Sequence, residues 1–584
     1  PEWLWADSQQ GFISVYNKRT RDSFSVLPYV LTNEENFDLR TAKYRFNWNS
    51  PIAFAPWDGH IAWVAGNVIF QTIDRGRHWT RISPDLTLNE KDHQAPPGGP
   101  ITHDVSSAEN YNTILDVEGS SLDRGEIWAG TDDGQVQLTR DGGKHWKNVS
   151  PAGILDHGEF ETVAPSTNVA GTAFASMDRH LLGDYKPYLF VTHDFGAHWA
   201  SISKGLPENV YARSIRPDLH NRNLVYAGTE TGLWLSCDGG ANWHDFKNEL
   251  PTAAVRDMRF QSSWDDLAIA THGRSLYIMD DLRPVQLAAC EAPKAPFVLA
   301  PRVSYQYNIH GDDEGTYTDY AGTNPAFGAV LNYYQPKPSK IPPVIKIYDA
   351  AGHLIRTVAG NHDNPFAVKA KPWITNDAGL QSFVWDYTRD GPVKWNGAGK
   401  FFKGPEEGAG VPPGRYTMAM TLSGKTFTVT AIVKPDPDTL ETPAEIEAAA
   451  AFNARYLQKF SDLDVALNQL DDVKAQLTKT RAAADAKKDA TTVAAIDKAL
   501  VDRQTLQDAL TADYQNFEDF VQRSGRLRED LSNAGTGLVT PAVLDFGRRV
   551  DASYAARMQD VDAFLKSLAP LSAMLKAAGY PEIK

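Results

Sequence analysis

Cysteine is nearly absent: Cys237 and Cys290 are the only two in 584 residues. A disulfide scaffold and a four-cysteine zinc site are thereby excluded, while whether the two pair stays open. A basic surplus is missing too. The 58 Lys and Arg face 73 Asp and Glu, and the resulting net charge of −15 argues against a nucleic-acid surface. No run approaches the ~18 apolar residues that a membrane span requires. No Gly-rich phosphate loop and no G-x-S-x-G element occurs. There is no leader-like stretch at Pro1, so a leader or a larger N-terminal part is expected upstream.

What is abundant points to β structure. The 15 Trp, 43 Gly and 35 Pro suit short strands and tight turns better than helices. At ~100–200 residues per domain the length predicts roughly three to five domains. Composition changes twice along the chain, at two Pro-rich joints, Ala292-Pro-Lys-Ala-Pro296 and Lys434-Pro-Asp-Pro-Asp438. The domains expected are therefore 1–290, 296–436 and 441–584.

The first segment carries an internal repeat, [ST]-x-D-x-G-x-x-W, in four copies. They are Thr72 with Asp74, Gly76 and Trp79; Thr139 with Asp141, Gly143 and Trp146; Thr192 with Asp194, Gly196 and Trp199; and Ser236 with Asp238, Gly240 and Trp243. Each follows an alternating apolar run and precedes another short strand. The Asp accepts turn amides, the Gly adopts a backbone conformation closed to other residues, and the Trp packs beneath. These aspartates are expected to hold turns, not to catalyse. His78, His145 and His198 each stand just before the Trp, which marks a repeated position and not a metal cluster. The repeat resembles the Asp-box, or BNR repeat, of β-propellers. That resemblance implies the box lies between the third and fourth strands of each blade. Two degenerate units flank the four, giving about six blades, the first incomplete. Its open strand edge predicts that residues 1–30 pair with further propeller sequence or with another subunit.

The second segment reads as one β-sandwich, with hairpins at Val344–Val358 and Gly414–Thr430, and resembles fibronectin type III or immunoglobulin-like modules. The third is helical. Thr442-Pro-Ala-Glu445 is a capping-box start, a second helix is expected over about 491–521, and Thr540-Pro541 opens a third, together a packed bundle.

Chemistry, if present, gathers on the face opposite the boxes. Loops between second and third strands supply Asp132, Asp133, Asp178, Arg179, His180, Glu230, His272 and Arg274. Starts of inner strands supply Glu161, Arg213 and Arg256, and the insertion before the third blade adds Glu109 and Tyr111. Two readings stand side by side: an active site with Asp132, Asp133, Asp178, Glu230 and Glu161 as candidate acids and bases, or paired charges that tie loops together. The run Asp312-Asp-Glu314 lacks the spacing of a calcium loop and reads as a solvated turn, so no metal or cofactor is expected.

The stretches Lys43-Tyr-Arg-Phe-Asn-Trp-Asn, Gly98-Gly-Pro-Ile-Thr, Trp128-Ala-Gly-Thr-Asp-Asp-Gly, Tyr226-Ala-Gly-Thr-Glu-Thr-Gly and Ala270-Thr-His-Gly-Arg-Ser look like a bacterial family of BNR-repeat proteins with a sortilin-like N-terminal propeller. Members are usually secreted and are often labelled glycosyl hydrolase, because xyloglucanase-type hydrolases share the propeller. The resemblance implies a secreted, periplasmic or cell-surface protein, and the two accessory segments with no clear catalytic constellation point to a binding or scaffold module for protein or glycan. The alternatives are hydrolysis of a polysaccharide and sortilin-like peptide capture.

Overall fold

The computed structural model describes residues 2–32, 38–94, 110–153, 157–247, 249–307, 326–359, 374–398, 407–511, 527–534 and 539–583. Glu109 and the Asp312–Glu314 run lie outside these residues. The chain divides into two compact units, Pro1–Pro293 and Lys294–Lys584.

Among its described residues the first unit holds six small antiparallel sheets in chain order, spanning residues 3–25, 52–81, 114–148, 159–201, 212–245 and 255–279. The middle four have four strands and the outer two have three. Each sheet buries its faces against the next. Ile114, Val117 and Ile127 of the third sheet pack on Ala53 and Ile69 of the second, and Phe160 and Val163 of the fourth pack on Trp128 and Val136 of the third. The core is thus a series of inter-sheet layers, the arrangement of a propeller-like array.

The repeated turn lies between the third and fourth strands of each four-stranded sheet and is built the same way each time. In the first copy, Thr72 Oγ1 donates to Asp74 Oδ1 and accepts from the Gly76 amide, both at 2.9 Å. The His78 amide donates to Asp74 Oδ1 at 3.0 Å, and the His78 ring pairs with Oδ2 at 2.6 Å. Asn242 replaces His in the fourth copy. The tryptophan reaches beyond its own sheet. Nε1 of Trp79, Trp146, Trp199 and Trp243 donates to the carbonyls of Val26, Ile82, Val149 and Ile202, each just past the outer strand of the preceding sheet, at 2.7–3.0 Å. The glycine is required twice over. Gly240 has φ +100°, and a Cβ there would lie 2.6 Å from Ile202 Cδ1. The turn therefore latches successive sheets together as well as closing a hairpin.

This latch fixes the strand order of the first sheet. Val26 follows Ser23–Ser25, so that strand is the outermost, and Trp3–Asp7 stands in the place of a second strand. Second strands elsewhere, Ile127–Thr131 and Val225–Thr229, are buried throughout, whereas Trp3–Asp7 alternates half-buried and exposed. Cys237 and Cys290 form a disulfide that encloses the whole sixth sheet, with a sequence separation of 53. Closing a loop of that length is worth about 4 kcal/mol in the chain-entropy picture.

In the second unit a three-stranded and a five-stranded sheet share one core, with Tyr333, Phe383 and Trp385 from the first facing Ile345, Met418 and Met420 from the second. The hairpin Gly414–Leu422 to Lys425–Pro435 turns at Ser423 and Gly424, both at positive φ, as a two-residue turn of right-handed twist requires. Among the described residues four helices follow, Pro443–Ala486, Ala490–Leu510, Leu527–Ala534 and Pro541–Ala577. The capping box of Thr442 and Glu445 is formed. The second helix runs to Leu510, where Thr511 takes an extended conformation, and the rest of the expected span, 512–521, lies outside the described residues. Segment 393–396 docks on a polar stripe of the first helix. Ser461, Asp464 and Asn468 accept the amides of Val393, Trp395 and Asn396, and Asp471 accepts Trp395 Nε1. No helix among the described residues is long and apolar enough to cross a membrane.

Candidate functional site

Four successive inner strands share one irregularity. The pairing register shifts at Ile114/Asp116, Phe160/Thr162, Ala212/Ser214 and Val255/Asp257. Each bulge leaves one extra residue: Leu115, Glu161, Arg213 and Arg256. Bulges re-aim a side chain and recur beside functional sites. Here they bring three of the expected mouth residues together. The Ala-Gly-Thr sequence of the adjoining second strands fits against these bulges, since a Cβ on Gly228 would stand 2.6 Å from the Val255 carbonyl oxygen.

Arg213 is the hub. It is 5% exposed, so its charge must be met internally. Nη1 lies 2.9 Å from Glu161 Oε1 and 3.1 Å from Asp178 Oδ2, and Nε lies 3.8 Å from Glu230 Oε2. Asp178 also pairs with the His180 ring at 2.7 Å, and that ring stacks on Tyr211 with centroids 4.6 Å apart. Glu159, which sequence reading did not single out, completes the group. An oxygen of its carboxyl lies within 4.8 Å of those of Glu161 and Asp178. Burial, then Glu161, Asp178 and Asp132, push its pKa well up. Burial also raises Glu161, against the opposing pull of Arg213 and Arg256.

Asp132 and Asp133 are placed otherwise. Both are buried. Asp132 accepts the Thr113 amide and hydroxyl at 2.8 and 2.6 Å. Asp133 accepts the Thr131 hydroxyl, the Leu88 amide and Asn112 Nδ2 at 2.6–2.8 Å. Burial and the proximity of Asp133 hold Asp132 well above the usual carboxylate range. These two tie rim loops to the third sheet. Of the remaining expected residues, Arg179 pairs with Asp184 at 3.5 Å, and His272 and Arg274 are exposed on the sixth sheet.

Tyr111 is buried at the rim, and its hydroxyl lies 2.8 Å from His157 Nδ1. Beside it stand Glu90 and His93, neither of which the sequence reading selected. Glu90 and His93 are three apart at a single 3₁₀ turn, Lys91–His93, a spacing that eclipses their side chains. Glu-x-x-His was a readable signal; its partner His157 comes from another loop, 64 residues on.

The fold and site define a mostly β protein with a propeller-like array of small sheets, a buried cluster of opposite charges at the strand bulges and a helical C-terminal region. No family model and no curated protein matches the chain. Among solved structures it is similar to the GH74 xyloglucanase from Xanthomonas campestris, at 14% identity over 75% of this chain and 72% of that one, with a TM-score of 0.37. It is also similar to YCF48 from Cyanidioschyzon merolae, at 17% identity over 48% and 79% and a TM-score of 0.31. A third is PorZ, a surface component of the type-IX secretion system of Porphyromonas gingivalis, at 13% identity over 74% and 58% and a TM-score of 0.34.

Proposed function

We propose that this chain is a binding or scaffold module of the secreted or cell-envelope space, a BNR-type propeller that presents its mouth to a protein or glycan. The accompanying sandwich is read as an immunoglobulin or fibronectin type III-like accessory domain. The observation that carries the reading is the use already made of the mouth carboxylates. Glu161 and Asp178 are bound to Arg213, and Asp132 and Asp133 spend their oxygens on rim amides and hydroxyls. A rigid mosaic of both charge signs suits recognition of a polar ligand, whereas acid–base turnover needs carboxyls free to exchange protons with substrate. The disulfide fits an oxidising compartment. The test is a glycan array and a peptide array probed with the full chain. Specific binders lost on Arg256→Ala support the reading, and binding to neither array overturns it. One observation favours a second reading, polysaccharide hydrolysis. Glu159 is a mouth carboxyl whose pKa is pushed well up by burial and then by its carboxylate neighbours, the direction a general acid requires.

A further inference from the structure

We infer that Glu90, His93 and His157 form a binding site for a divalent transition-metal ion of the zinc type at the rim of the third sheet. Glu90 Oε2 lies 3.2 Å from His93 Nδ1 and 3.8 Å from His157 Nδ1. One donor atom from each of the three falls within 4.8 Å of the others. Tetrahedral zinc, with bonds of about 2.0–2.1 Å, sets its ligand atoms roughly 3.3 Å apart. Both distances from Glu90 Oε2 lie within about half an ångström of that spacing. Two imidazoles and one carboxylate are also the donor set that leaves a fourth position open for water or a ligand oxygen. Tyr111 borders that position. Loading would exchange its 2.8 Å hydrogen bond with His157 Nδ1 for a nitrogen–metal bond and free the hydroxyl to meet the fourth ligand.

A second layer holds the donors in place. The Glu90 amide donates to Asn112 Oδ1 at 3.1 Å, and Gln94 Nε2 donates to the same oxygen at 3.0 Å. Asn112 in turn donates to Asp133, which also accepts the Leu88 amide. The turn bearing Glu90 and His93 is thus pinned to a buried carboxylate, the outer-layer support that metal sites use. Asn112 and His157 both adopt left-handed backbone, at φ +59° and +62°. Surrounding charge favours a cation. Asp92 Oδ2 stands 3.9 Å from His93 Nε2, and the nearby Lys91 turns its ammonium away to the Arg40 carbonyl and Gln94.

The test uses the full chain, stripped with a chelator and titrated with Co²⁺ and then Zn²⁺. The expected result is saturation at one equivalent with the intense visible bands of a four-coordinate cobalt site, bleached by Zn²⁺. The double variant His93→Ala/His157→Ala should lose the bands, and Asn112→Ala should weaken binding about 10–100-fold. Circular dichroism identical to the parent keeps the loss attributable to the donors. Absence of cobalt bands in the parent, or binding undiminished in the double variant, overturns the site.

Discussion

Trp243 shows how one side chain can serve two sheets. It is buried, and it donates to the Ile202 carbonyl at 2.7 Å. Trp243→Ala should cost about 3–5 kcal/mol in denaturant unfolding, while Trp243→Phe, which keeps the ring and loses the bond, should cost about 1 kcal/mol. The aspartates of the same turns add an acid dependence. The side chain and amide of His78 hold Asp74 down at about 2, and those of His198 hold Asp194 there too. Both values lie below the ordinary carboxylate pKa, so their stabilisation is complete above pH 4 and is lost as pH falls toward 2. Melting curves between pH 5 and 2 should therefore fall less steeply for the Asp74→Asn/Asp194→Asn protein than for the parent, and parallel curves would contradict that. The turn was legible because Thr, Asp, Gly and Trp sit within eight residues. The latch was not, since the carbonyl partners lie 41 to 64 residues upstream. Asp132 and Asp133 read either as candidate acids and bases or as charges that tie loops together, because nothing local announces that Thr113 and Leu88 will fold over them.

Inner strands carry the site through their bulges. The alternation of each strand was readable, but an extra residue is invisible until its partner is known, and Arg213 owes its central position to one. Breaking a buried ion array by removing one partner leaves the other charges uncompensated. Arg213→Met should destabilise the protein by about 3–5 kcal/mol at neutral pH. The deficit should shrink in acid, where Glu161, already raised by burial, takes up a proton. A pH-independent deficit in chemical denaturation would mean that packing, not charge, is what Arg213 supplies. Among the helices, the apolar spacing from Tyr456 to Leu477 was plain. The polar stripe of Ser461, Asp464, Asn468 and Asp471 that receives segment 393–396 was not, because its partners come from the preceding sheet region.

Across the whole molecule, the repeat, the hairpins of the second segment and the helix starts were readable from local patterns, and what joins them was not. The first sheet's exposed strand Trp3–Asp7 is proposed to pair with a strand from further propeller sequence or another subunit. Hydrogen exchange should find residues 3–7 of the isolated chain far less protected than 127–131, and equal protection would contradict a free edge. The mouth is proposed to bind without turning over. The most direct measurement is release of reducing ends from polysaccharides by the full chain, alongside Glu159→Gln. No release above the enzyme-free blank is expected for either protein. Sustained release by the parent that disappears in Glu159→Gln would contradict it and establish the hydrolase reading instead.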